Sequence, residues 1–277
     1  MGRAGFVEED WQKERELIEY TRVWKGGRVV EGTALEKRHT GNGIESSNLS
    51  LSALNLKLKL MTHDELINKT VEFVKRTLKN AEGGHDWWHI FHVWKNSKRI
   101  GETEKVDMLV VELGALLHDI ADSKFYNGDE EIGPRKAREF LESLAVDEST
   151  IDHIENIIRN ISFRGGNHEQ FFKSPELDVI QDADRLEALG AIGIARVFNF
   201  GGYKGRPIYR PEIQPNLGMD KEEFKKSMTH TINHFYEKLL LLKDRMNTNE
   251  GKRLAEHRHQ YMEEFLKEFY GEWEGKF

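Results

Sequence analysis

The sequence predicts an all-α protein, and three features of the chain support this prediction. Apolar residues recur at helical spacing, three or four positions apart, in most segments after residue 60. No segment shows the alternation of apolar and polar residues that is typical of a β-strand. The chain contains neither an internal repeat nor a heptad array, so we expect its helices to pack into one globular bundle.

Residues 1–60 differ from the rest of the chain. Their charged stretches alternate with the polar segment HTGNGIESSNLSLS, and their apolar residues show no sustained period. We therefore expect a poorly structured N-terminal extension over residues 1–60 and a single domain over residues 61–277.

Three helices are predicted at the start of this domain. The first begins with a capping-box pattern at Thr62 and Glu65 and is expected to stop at residues 83–84, which are both glycine. The second runs over about residues 86–100. The third, VDMLVVELGALLHDI, is apolar almost all round and should therefore be buried.

The remaining elements follow from the same spacing rule. Residues 201–218 are rich in glycine and proline, which predicts a long loop between helices, and long ordered loops are often functional. Further helical patterns occupy residues 137–144, 151–161, 177–188, 224–246 and 254–269.

Composition restricts the function of the protein. The 277 residues carry a formal net charge of -7 and include no cysteine. A disulfide, a thiolate metal site and a thiol nucleophile are therefore excluded, and any metal must be held by His, Asp, Glu or water. A reducing, cytoplasmic location fits this composition. The acidic balance and the short apolar stretches argue against nucleic-acid polymers and membranes and favour a small-molecule ligand.

Four ionisable residues predict a metal site. His118 and Asp119 directly follow LGALL at the end of the predicted buried helix, where two ionisable groups are costly unless they are paired or bind an ion. Asp184 lies four residues after Ile180, and His89 shares a helical face with apolar residues, so both should point inward. Each alone could be a hydrogen-bonded core residue. Together, two imidazoles and two carboxylates suit an octahedral divalent metal with open water positions.

Two other His-Asp dipeptides lie at the starts of predicted helices, which explains their aspartates without a metal site. His63-Asp64 lies within the capping box of the first helix. Asp86 stands at the start of the second helix, where the helix dipole favours a carboxylate. We therefore predict structural roles for both aspartates and leave the role of His85 open.

The segments HDWWHIFHVW, LLHDIADSKFYNGDE and VIQDADRLEALGAIGIARVF resemble the HD-domain metal-dependent phosphohydrolase superfamily, which is defined by the order H, HD, D. They are most similar to bacterial HD proteins of the YedJ/YpgQ type, some of which are nucleoside triphosphate pyrophosphohydrolases. The resemblance covers about residue 61 to the C-terminus. It implies a helical HD-domain bundle and metal ligands that are the four residues chosen above, His89, His118, Asp119 and Asp184.

The same resemblance places further residues near the metal. Relatives commonly have Arg at the position of His92, so this chain lacks a permanent cation there. Asp122 follows Asp119 by three residues and could orient a water or a ligand His, although an N-cap role is an alternative. We expect three residues to be catalytic, namely Asp119, Asp122 and Lys124. The candidate phosphate-binding residues are Lys124, Arg164, Arg185, Lys204 and Arg210.

The predicted function is metal-dependent hydrolysis of nucleotide phosphates, with a (deoxy)nucleoside triphosphate cleaved to monophosphate and pyrophosphate. One divalent ion is expected, with Mn or Mg favoured and Ni, Co or Fe compatible with the ligands. The alternatives are a phosphomonoesterase, a cyclic-nucleotide phosphodiesterase and a catalytically silent nucleotide-binding module. Neither the base nor the sugar is indicated. We expect a monomer or a homodimer.

Overall fold

The computed structural model describes residues 61–79, 81, 86–121, 126, 129–161, 172–217 and 229–277. In chain order, its helices are α1 (His63–Thr77), α2 (Trp87–Gly101), α3 (Met108–Leu117), α4 (Ile132–Ser143), α5 (Glu148–Ile161), α6 (Pro175–Leu186), α7 (Gly190–Tyr203), α8 (Asn233–Glu237) and α9 (Asn249–Trp273). Within the described ranges there is no β-strand, so the all-α prediction is confirmed. The predicted extension over residues 1–60 lies outside these ranges.

Helix α1 begins as its capping box predicts. Thr62 Oγ1 accepts a hydrogen bond from the backbone N–H of Glu65 at 3.2 Å, and the Glu65 carboxylate accepts one from the N–H of Thr62 at 2.9 Å. The helix ends at Thr77, earlier than predicted, because the sequence between Leu78 and the glycines at 83–84 contains no large apolar residue to bury. The His63-Asp64 dipeptide thus has the structural explanation that was predicted for it.

Helix α3 forms the centre of the bundle. Its residues from Val110 to Leu117 are buried, which confirms the predicted burial of this segment. Helix α3 packs against α1, α2, α5 and α6, and α2 and α6 also pack against each other. Because α2, α3 and α6 are mutual neighbours, residues from three separated segments of the chain can meet at one end of α3.

One buried carboxylate in α3 is satisfied by structural partners. Glu112 lies 3.0 Å from His63 Nε2 and 3.1 Å from Lys98 Nζ, and it accepts a hydrogen bond from Trp94 Nε1 at 2.7 Å. These contacts join α3 to α1 and α2. A buried acid with three donors needs no ligand to explain it.

A tight corner joins α6 to α7, a helix that the sequence analysis did not predict. Gly190 has φ of 70°, in the left-handed region that glycine adopts without a Cβ penalty. At Gly193 a Cβ atom would lie 2.3 Å from the carbonyl oxygen of Ala188. The two glycines therefore allow α7 to begin directly after α6.

Gly193→Ala is expected to lower the free energy of unfolding by about 2 kcal/mol, because the added methyl group meets rigid backbone. Urea denaturation measures this change. Gly202→Ala in the same helix is the matched control, because nothing lies within 4 Å of a Cβ at Gly202. The control should raise the free energy of unfolding by about 0.5–1 kcal/mol through helix propensity. Equal effects of the two variants would contradict the close approach at Gly193.

The predicted loop begins later than expected. Helix α7 continues through Gly201 to Tyr203, and only residues 204–217 lack regular structure in the described part of the loop. A Cβ at Gly201 would lie 2.3 Å from Thr231 Oγ1. Glycine is therefore required at this position for close packing and does not break the helix.

The prediction of one long helix over residues 224–246 is wrong for the part that the structure describes. In place of this helix there are the short α8 and two 3-10 turns, at Leu239–Leu241 and Lys243–Arg245. The backbone N–H groups of Thr231 and Ile232 donate to the carbonyl oxygens of residues 207 and 208. Hydrogen bonds to the preceding loop thus replace those that a continuous helix would make.

Helix α9 confirms the predicted C-terminal helix. Thr248 caps it by accepting a hydrogen bond from the N–H of Gly251, and Ala255, Met262 and Leu266 are buried on one face. Neither α9 nor another helix in the described ranges combines the length and the apolar character that a membrane span requires.

Candidate metal centre

His118 and Asp119 lie directly after α3, at the end of the most apolar helix. The Nδ1 atom of His118 is 2.8 Å from the carbonyl oxygen of Ala115, so this nitrogen carries a proton and donates it. The Nε2 atom of the neutral ring therefore keeps a lone pair that can bind a cation. The His118 side chain is buried, as predicted, and Asp119 is half-buried.

His89 is positioned by the N-terminus of α2. The Asp86 side chain caps this helix and accepts hydrogen bonds from the backbone N–H groups of Trp88 at 3.0 Å and His89 at 3.2 Å. The predicted structural role of Asp86 is therefore confirmed. The His89 side chain is buried, and its ring centroid lies 5.4 Å from that of His118.

The predicted ligands come together from three helices. One ligand atom each from His89, His118 and Asp119 can be chosen so that all lie within 4.8 Å of one another. Asp184 Oδ1 lies 3.5 Å from His89 Nε2. The structure thus groups three of the four predicted ligands and places Asp184 beside one of them, His89. Imidazole nitrogens and carboxylate oxygens are ligands that a divalent cation can accept.

One feature of Asp184 differs from expectation. Its position four residues after Ile180 predicted a carboxylate that faces the core, but its side chain is 38% exposed. Asp184 lies in the last turn of α6, between the buried residues Ala183 and Leu186. The carboxylate is thus open to solvent on one side.

Comparison with known proteins assigns the family. A family model described as the HD domain matches residues 87–189, a range that contains all four predicted ligands. The protein YpgQ of Bacillus subtilis (strain 168) is 36% identical over 199 residues, which cover 71% of this chain and 88% of YpgQ. The chain belongs to the HD-domain superfamily.

Crystal structures of relatives have the fold of this HD-domain protein. A HD-superfamily hydrolase from Bacillus thuringiensis is 45% identical with a TM-score of 0.63, and the match covers 77% of this chain and 99% of that one. Bacillus subtilis YpgQ in complex with ADP is 32% identical over the superposed residues, with a TM-score of 0.61 and coverage of 76% and 97%. The predicted family is therefore confirmed, and the chain is a HD-superfamily hydrolase.

Two charged residues of this HD-domain protein that sequence reasoning did not select lie beside the cluster. The Arg196 guanidinium is 2.7 Å from His89 Nδ1 and 3.5 Å from Glu187 Oε2. Glu187 lies three residues after Asp184, a spacing that could have drawn attention to it. Arg196 could not have been selected from the sequence, because α7 itself was not predicted.

Glu187 is almost completely buried, with 2% of its side chain exposed. Burial raises the pKa of its carboxyl group, while the charges of His92, Arg196 and Arg258 act in the opposite direction. Its Oε2 atom lies 3.3 Å from His92 Nδ1. Its Oε1 atom is buried and accepts no hydrogen bond from the residues described.

His92, which the family resemblance singled out as a departure, is therefore a partner of Glu187. The His92 side chain is 39% exposed on its outer side. Among the described residues, Arg196 of α7 places a permanent positive charge beside His89.

The other predicted site cations in the described ranges have contacts of their own. Arg185 donates to the carbonyl oxygen of Arg245 at 2.7 Å and to Gln181 Oε1 at 3.2 Å, and burial lowers its pKa. The Lys204 ammonium lies over the rings of Phe200 and Tyr203. The Arg210 guanidinium lies 3.7 Å from Glu212. None of these described contacts joins the three cations to the metal ligands, so their phosphate-binding roles remain predictions.

Three further predicted residues, Asp122, Lys124 and Arg164, lie outside the described residues, as does His85. Asp122 and Lys124 follow Asp119 closely in the sequence. Their catalytic roles remain predictions from the family resemblance.

Proposed function

We propose that this protein is a metal-dependent phosphohydrolase of nucleotides, which hydrolyses nucleoside or deoxynucleoside triphosphates to monophosphate and pyrophosphate. The proposal rests on the cluster of His89, His118 and Asp119, with Asp184 beside His89, whose combined donor set suits a catalytic divalent cation. The ADP in the crystal structure of its relative YpgQ supports a nucleotide ligand. The helical fold alone would not identify a substrate.

In this proposal, His89, His118, Asp119 and Asp184 hold one divalent cation, Mn²⁺ or Mg²⁺. When bound, such a cation supplies an activated water and neutralises charge on a phosphoryl group. The bond from His118 to Ala115 keeps the ligand ring in the tautomer that binding requires. The half-exposed side of Asp184 leaves an approach for the phosphate chain.

The remaining roles in the proposal belong to residues close to Asp119 and to the cations of the chain. Asp122 orients the attacking water by accepting its hydrogen bond. Lys124 places a positive charge where negative charge accumulates on the phosphoryl oxygens. Arg164, Arg185, Lys204 and Arg210 are the proposed contacts for the outer phosphates, for which a guanidinium is the better bidentate donor.

The test is hydrolysis by the purified full chain across nucleoside and deoxynucleoside tri-, di- and monophosphates, and across 3′,5′-cyclic nucleotides, with Mn²⁺, Mg²⁺, Co²⁺ or Ni²⁺. We expect a monophosphate and pyrophosphate in equal amounts from triphosphates. EDTA should abolish this activity, and excess Mn²⁺ should restore it, because coordination of the metal by side chains is reversible.

The products separate the alternatives. Release of inorganic phosphate from monophosphates would show a phosphomonoesterase, and conversion of cyclic nucleotides would show a phosphodiesterase. Nucleotide binding by calorimetry without turnover in any metal would show a silent binding module. Each of these results would contradict the proposed triphosphate hydrolysis and support the alternative function named with it.

A further inference from the structure

The two imidazoles of the metal cluster are held in opposite ways. His118 donates its Nδ1–H to the carbonyl oxygen of Ala115 at 2.8 Å. At His89, Nδ1 lies 2.7 Å from the Arg196 guanidinium, and a guanidinium has only donors. Nδ1 of His89 therefore accepts, and the proton of its neutral ring lies on Nε2.

This tautomer is the wrong one for a metal ligand. The Nε2 atom of His89 faces Asp184, with 3.5 Å between Nε2 and Oδ1, so Nε2 is the atom that the cluster presents to a cation. A cation needs the Nε2 lone pair, and a neutral ring can offer that lone pair only when its proton moves to Nδ1. A protonated Nδ1 and a donor nitrogen of Arg196 cannot remain 2.7 Å apart in a hydrogen bond.

The structure offers Arg196 a second position. Its Nη1 atom already lies 3.5 Å from Glu187 Oε2. The other oxygen of this carboxylate, Oε1, is buried and accepts no hydrogen bond from the described residues. A buried carboxylate with an unused oxygen is a strong acceptor for both arms of a guanidinium.

We propose that Arg196 and Glu187 form a two-position pair that sets the metal affinity of His89. Without metal, the Arg196 guanidinium donates to His89 Nδ1 and holds the ring in the tautomer that opposes binding. With metal, the proton moves to Nδ1 and the guanidinium shifts onto Glu187. Arg196 thus lowers the metal affinity of the site, whereas Glu187 raises it, and both act as positioning residues through His89.

This inference rests on the proposed metal site but does not depend on the substrate. The first test therefore uses the unmodified protein and no nucleotide. ¹⁵N-labelled histidine in the metal-free chain should show His89 protonated on Nε2, and the signal is assigned by its absence in His89→Asn. Diamagnetic Zn²⁺ should move the proton to Nδ1, while His118 should keep its proton on Nδ1 throughout. A metal-free His89 already protonated on Nδ1 would overturn the proposal.

The second test measures the dissociation constant of Mn²⁺ by calorimetry. Arg196→Met keeps much of the side-chain length but removes the donor, and it should bind Mn²⁺ about 10-fold more tightly. Glu187→Gln removes the acceptor charge and should bind Mn²⁺ about 10-fold more weakly. Opposite changes for the two members of one ion pair would not follow from general damage to the fold. Weaker or unchanged binding by Arg196→Met would refute the proposal.

Arg159→Met is the matched control, because Arg159 has nearly the same exposure as Arg196, 35% against 33%, and also pairs with a buried glutamate. Its Mn²⁺ affinity should equal that of the unmodified protein. If the unmodified protein binds no Mn²⁺, the proposed function fails. If it binds Mn²⁺ with an affinity that Arg196 and Glu187 do not change, only the present inference fails.

Discussion

Asp119→Asn is expected to reduce triphosphate hydrolysis by on the order of 10³-fold or more, with the fold retained. The substitution preserves the size of a half-buried side chain but removes its negative charge. The amide oxygen is a weaker ligand for Mn²⁺ or Mg²⁺ than a carboxylate. The same preparation should therefore be used to measure the specificity constant kcat/KM, the Mn²⁺ dissociation constant and the thermal midpoint Tm.

The matched control for this variant is Asp64→Asn. Asp64 also follows a histidine, but it is exposed in the first turn of α1, where the capping box explains it. Activity and Mn²⁺ affinity should be unchanged in the control. Activity of Asp119→Asn within 10-fold of the unmodified protein, at saturating Mn²⁺, would contradict the metal-centre assignment.

Asp182→Ala is expected to lower the free energy of unfolding by about 3 kcal/mol. Asp182 is fully buried and accepts hydrogen bonds from the backbone N–H groups of Asn247 at 2.8 Å and Thr248 at 2.7 Å, and from the Thr248 hydroxyl at 2.8 Å. These bonds attach α6 to the first turn of α9. Alanine leaves the donors buried without an acceptor, so Tm should fall by roughly 6–12 °C in a domain of this size.

Asp184→Ala, two residues further along α6, provides the contrast. Because its carboxylate is partly exposed, its removal should change the free energy of unfolding of the metal-free protein by less than about 1 kcal/mol. Its effect should appear as weaker Mn²⁺ binding and lost activity. At temperatures well below its Tm, Asp182→Ala should bind Mn²⁺ as tightly as the unmodified protein does. A metal-free Asp184→Ala as unstable as Asp182→Ala would show that the two roles are wrongly separated.

The four predicted metal ligands illustrate how far local pattern reaches. Helical spacing predicted the burial of His89 correctly but not the exposure of Asp184. Ionisable groups after an apolar helix stand out at His118 and Asp119. The capping residues Thr62 and Asp86 are equally visible, because a cap depends on residues two or three positions away. These features were predictable because each depends on neighbours in the sequence.

Features that depend on distant neighbours were missed or predicted wrongly. The prediction of a continuous helix over residues 224–246 was wrong because the N–H groups of Thr231 and Ile232 donate hydrogen bonds to the preceding loop. The loop was predicted to start too early because Gly201 was interpreted as a helix breaker. Its lack of a side chain is instead required by the close approach of Thr231, which lies on another segment. Periodicity contains no information on such partners.

The sequence by itself therefore determined the all-α class and the family and supplied the candidate ligands, since helical period and short motifs are local properties of the chain. Only the tertiary structure decided that Asp184 is half-exposed, that Asp182 binds the start of α9, and that Arg196 meets His89 beside a buried Glu187. The physical reason is that charge, burial and proton position depend on which helices pack together. For His89, this packing brings the Arg196 guanidinium to Nδ1, and the proposed control of metal affinity rests on that contact.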